Sequence, residues 1–84
     1  MLYSTATKVE LIHKWTNAIE KLNQEIKHIE ADKTMSKEQR AASIARRQRI
    51  ISDHRASIKQ AKEFIEHQQR KAQELYETYF NRQK

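Results

Sequence analysis

Glu25 and His28 come nearest to metal chemistry in this chain, because side chains three apart share a helix face and Glu-x-x-His supplies ligands in di-iron bundles. Such a centre needs further carboxylates turned into the same interior, whereas in the helical frame developed below Glu25 and His28 flank or leave the apolar seam. Glu63 and His67, four apart, fall on the outer side of their helix. Both pairs read as solvated charges. His13, His28, His54 and His67 are scattered, cysteine is absent, no glycine loop cradles phosphate, and no nucleophile has an evident base. The expectation is a protein that is not an enzyme and carries no metal or cofactor.

Binding chemistry is better represented. The net charge of +6 is concentrated in residues 37–62, where Lys37, Arg40, Arg46, Arg47, Arg49, Arg55, Lys59 and Lys62 face only Glu38 and Asp53. Such a density can neutralise phosphates or meet an acidic protein surface, and Arg46, Arg47, Arg49, Arg55, Lys59 and Lys62 are the expected partner-binding residues. No aromatic is interleaved with the arginines, so the stacking platform of a single-strand binder is missing, and nucleic acid is the alternative partner rather than the leading one. A second cluster lies near the end of the chain. Ala72, Leu75, Tyr76, Tyr79 and Phe80 recur at helical spacing, and of these Leu75, Tyr76, Tyr79 and Phe80 are the expected partner or dimer interface, since aromatic residues dominate interface hot spots.

The elements that position these residues are helices. Glycine and proline, the usual punctuation of helices, are both absent from the 84 residues. Ile12, Trp15, Ile19, Leu22, Ile26 and Ile29 alternate spacings of three and four, and Ile44, Ile51, Ile58 and Ile65 sit seven apart. Between the two series, Ser36-Lys37-Glu38-Gln39 is a capping box that opens a new helix at Lys37; Thr7-Lys8-Val9-Glu10 has the same form, so either Ser4 or Thr7 opens the first helix. The expectation is one all-α domain over 1–84: helix one about 5–32, a turn at 33–36, and helix two about 37–82. The rival is a three-helix bundle broken near Ser52-Asp53, where serine and aspartate offer internal caps.

Helix two would extend roughly 69 Å against roughly 40 Å for helix one, so a coiled-coil-like antiparallel hairpin leaves its last turns unpaired. Leu2 and Tyr3 fold back onto the first helix or fray. If facing residues sum to about 68, Ile26 lies near Ile44, Ile19 near Ile51, Trp15 near His54 and Ile12 near Ile58. Arg47 and His54 then occupy the seam. Arg47 is expected to pass over its apolar neighbours into water, His54 to stack on Trp15, and Gln68 to act as a register device in a dimer.

Charged residues make up 33% of the chain and apolar ones 37%, a balance that suits exposed helices with a narrow apolar stripe. So little core favours self-association, here as a homodimer with a four-helix arrangement. The basic segment ahead of isoleucine heptads has the order of a basic-leucine-zipper factor, yet it lacks both the base-reading asparagine and the leucine heptads of that family. No apolar run approaches a membrane span, and Met1-Leu2-Tyr3-Ser4 has no secretory character, so no membrane partner is expected and the cytoplasm is the default location. The leading functional expectation is a small adaptor, assembly factor or inhibitor that docks on another protein; the alternative is a nucleic-acid-binding accessory protein using residues 37–62.

Overall fold

A computed structural model describes residues 5–82 of the chain. Leu2, Tyr3 and Ser4, for which folding back and capping were expected, lie outside these residues. The fold is an antiparallel helical hairpin of α1 (Thr5–Ala31) and α2 (Lys37–Arg82). Thr7 therefore sits within the first turn of α1 rather than ahead of it. Helix α2 runs unbroken through Ser52, Asp53 and Ser57, which sets aside the three-helix arrangement. Without glycine or proline nothing in its interior opposes continuation, and caps alone do not break a helix whose apolar stripe remains in register.

The chain reverses through side-chain hydrogen bonds. The Ser36 hydroxyl accepts from the Gln39 amide at 3.1 Å, and the Gln39 side-chain oxygen accepts from the Ser36 amide at 3.1 Å, the reciprocal pair that the sequence predicts. On the other side of the turn the Asp32 carboxylate accepts from the amide of Thr34 at 2.9 Å and from its hydroxyl. Arg40 reaches back across the turn and donates to the Asp32 carbonyl at 2.9 Å, satisfying an acceptor that the end of α1 leaves free. No described residue has positive φ, so the reversal uses none of the left-handed backbone that commonly ends a helix.

Three contacts cross the hairpin: Asp32 with Arg40, Glu25 with Arg47, and Lys8 with Phe64. All three are made by long side chains, which lean toward the N-terminus of their own helix, so their residue numbers add to more than those of the backbone positions that lie level; the helix ends, Ala31 and Lys37, add to 68. Ile26 of α1 and Ile51 and Ala61 of α2 are buried, so the apolar stripes of the two helices meet.

The core is thin. Ile26, Ile51 and Ala61 are buried, and the rest of the seam, including Trp15, Ile19, Leu22, Ile44 and Ile58, is half-buried. Every described residue of α2 beyond Ile65 is exposed, because α1 reaches no further. The molecule measures 73 × 22 × 16 Å, its long dimension being essentially that of α2.

Ile51→Ala is expected to lower unfolding free energy by about 2–4 kcal/mol, by removing a buried side chain from a core with few others, and Leu75→Ala by less than about 0.5 kcal/mol. Urea titration of the two variants checks the contrast. The turn adds a pH dependence. Hydrogen bonds from the Thr34 hydroxyl and amide, with the Arg40 charge close by, hold the Asp32 carboxyl below its ordinary 3.8. A depressed carboxylate contributes stability that is complete above its unfolded pKa and is lost as pH falls through the folded one. Asp32→Asn should therefore melt earlier than the parent at about pH 7, with the difference between the two melting curves shrinking as pH falls below 3.8; a difference that stays constant from neutral to acid pH would contradict this account of the turn.

Candidate functional site

The basic residues of 37–62 do not form one face. Arg55, Lys59 and Lys62, spaced four and three apart, share one flank of α2, where they line a shallow groove with Ile58, Glu63 and Glu66. Arg46 and Arg49 are also exposed. At about 100° per residue, however, the nine positions between Arg46 and Arg55 place them on opposite sides of the helix. Glu63 and Glu66 lie among the cations of the first flank, which reduces the field it can project.

Arg47 is turned to a structural use. Its terminal nitrogen donates to the Ser43 hydroxyl at 2.6 Å and to the Ser43 carbonyl at 3.2 Å, one turn back along α2. Its Nε is buried without a hydrogen bond, 3.6 Å from a Glu25 carboxylate oxygen on α1. The guanidinium is thus held at the interface between the helices instead of passing into water, because Ser43 and Glu25 both lie within its reach. Glu25, read from the sequence as a solvated charge, is its counterion, and at 42% side-chain exposure the pairing is partly screened.

The candidate metal pair is not assembled. His28 points to solvent while Glu25 faces Arg47, and among the described residues no three His, Asp or Glu side chains converge. Glu10 and His13 repeat the Glu-x-x-His spacing, which sequence reasoning passed over. Both are exposed, and they lie about 22 Å along the same helix from the Glu25 pair. Glu63 and His67 are exposed on α2.

The other candidate surface is the unpaired end of α2. Leu75, Tyr76, Tyr79 and Phe80 are 65%, 62%, 63% and 52% exposed. Spacings of three and four bring them to one side of the helix, where the Tyr76 and Phe80 rings pack 4.8 Å apart at a tilt of 49°. A shallow depression beside those rings is bounded by Glu77 and Asn81. The apolar stripe here continues the one that meets α1, so this end has the character of a seam with its partner missing. Phe64, absent from the sequence-based candidates, marks where pairing stops: it is half-buried with the Lys8 ammonium 5.1 Å from its ring centroid. The detectable signal was its place beside Ile65 at the length limit of α1.

No helix among the described residues is long and apolar enough to cross a membrane. No protein-family profile matches the chain, and comparison with curated proteins and with solved structures finds nothing similar.

If Arg47 is structural, Arg47→Met, which keeps the packed stem and removes the buried Nε, should hold stability within about 1 kcal/mol of the parent, while Arg47→Ala loses about 1–2 kcal/mol. Urea unfolding of both variants decides the matter. Equal losses would mean that the stem contributes nothing.

Proposed function

We propose that this chain is a non-enzymatic interaction protein, an adaptor, assembly factor or inhibitor that docks on another protein through the free end of α2. The observation that supports this reading is the exposure of Leu75, Tyr76, Tyr79 and Phe80 together on one face: monomeric proteins seldom leave such a group uncovered, and rigid aromatic anchors carry much of the affinity at interfaces. In this reading the hairpin body is a scaffold. Arg55, Lys59 and Lys62 steer an acidic partner toward the aromatic end, accelerating encounter more than they tighten the complex.

The same surface has a competing use in self-association, with two hairpins bringing their free ends together in a four-helix arrangement. The division of basic residues between opposite sides of α2 favours protein docking over a phosphate-tracking role, for which one continuous cationic stripe is the more effective arrangement.

Sedimentation equilibrium of the parent and of Tyr76→Ser with Tyr79→Ser tests the reading. A monomeric parent whose hydrodynamic behaviour the double variant leaves unchanged is the outcome expected of an open docking end. A parent dimer that the double variant dissociates assigns the aromatic face to a second copy and overturns the proposal that another protein occupies it.

A further inference from the structure

We propose that the hairpin can open at residues 32–36 and exchange helices with a second copy, giving an antiparallel dimer of two continuous helices that cross at the former turn. The seam keeps its phase across the turn. From Ile26 through Ile29, Lys33, Ser36, Arg40 and Ile44 to Arg47 the spacings remain threes and fours, with one repeated four between Ser36 and Ile44. A repeated four is the stutter that a continuous coiled coil absorbs by local unwinding, so the two apolar stripes stay in phase across the polar positions Lys33, Ser36 and Arg40.

Two straight chains that cross antiparallel at the turn are related by a two-fold axis, so each contact that bridges α1 and α2 in the hairpin can recur twice between them. Glu25 meets the second copy's Arg47 and Lys8 the second copy's Phe64, while the Asp32 carbonyl, which accepts from Arg40 in the hairpin, accepts instead from the Ser36 amide of its own straightened helix. No α1–α2 contact is lost by the exchange.

The hinge itself is able to straighten. It contains no glycine, no proline and no residue at positive φ, and side-chain hydrogen bonds hold its bend: Thr34 to Asp32 and the reciprocal Ser36–Gln39 pair at the surface, and Arg40 to the Asp32 carbonyl in a partly buried position. Lys33 and Met35 are good helix formers, and nothing in the hinge forbids a helix. What opposes opening is the high effective concentration of one helix for the other within a chain, of roughly millimolar order for a short link.

The consequence differs from association through the aromatic face. An exchanged dimer leaves both free ends of α2 uncovered, at opposite tips of a rod about 140 Å long against 73 Å for the hairpin. The inference therefore does not depend on what those ends bind.

The test compares hinge variants by sedimentation and small-angle X-ray scattering. Asp32→Ala with Thr34→Ala and Ser36→Ala, which removes the Asp32–Thr34 bonds and the Ser36 hydroxyl's bond to the Gln39 amide and leaves helix formers, should be a dimer at about 100 μM with a maximum dimension of about 140 Å. Thr34→Gly with Met35→Gly should be a monomer with the dimensions of the hairpin. Adding Tyr76→Ser and Tyr79→Ser to the alanine variant should leave its dimer intact; a dimer lost on that addition is held by the aromatic face, and the proposal fails. It also fails if the alanine variant stays helical and monomeric. Should that variant lose its helicity, the parent refolded from urea at about 1 mM decides: a rod-length dimer fraction supports exchange, and a single monomer species overturns it.

Discussion

The structure depends on how a chain without glycine turns around. Helices commonly end in a left-handed residue that glycine adopts at no steric penalty; here the task passes to Asp32, Thr34, Ser36, Gln39 and Arg40, whose side chains satisfy the backbone groups left free by two helix ends. Their arrangement fixes where α2 begins, and with that the level at which each residue of α1 meets its partner. The ion pair at Arg47, the ring contact at Phe64 and the point at which α2 loses its cover all follow from that level.

Most of the architecture was legible because helix periodicity and capping are local properties. The isoleucine series predicted both helices within a residue or so, and Ser36-Lys37-Glu38-Gln39 predicted a hydrogen-bond pair that the structure contains. Register was less legible. It depends on how many residues the turn consumes, and the bond between Thr34 and Asp32 has no periodic signature. The Glu25–Arg47 ion pair, made by two long side chains, has none either.

The candidate surfaces divide along the same line. Exposure of Leu75, Tyr76, Tyr79 and Phe80 followed from comparing two helix lengths, a calculation that needs no side-chain detail. The basic run was harder to read, because composition records charges along the chain whereas a surface depends on their angular positions. Arg46 and Arg55 belong to the same cationic segment and face opposite ways. Arg47, between them, is occupied in holding α1 to α2.

The free end of α2 also illustrates how helix initiation and helix extension separate. A detached peptide of that length is marginally helical in water, since the first turn must be formed against a large entropic penalty. Here initiation has already occurred in the paired segment, and each later residue only propagates an existing helix. Helicity should therefore decline gradually toward Arg82, with amide protons exchanging faster at each successive turn beyond Ile65. A binding partner would meet a surface ordered near its base and progressively frayed toward its tip, so that much of the ordering entropy of binding falls on Tyr79 and Phe80 and comparatively little on Leu75.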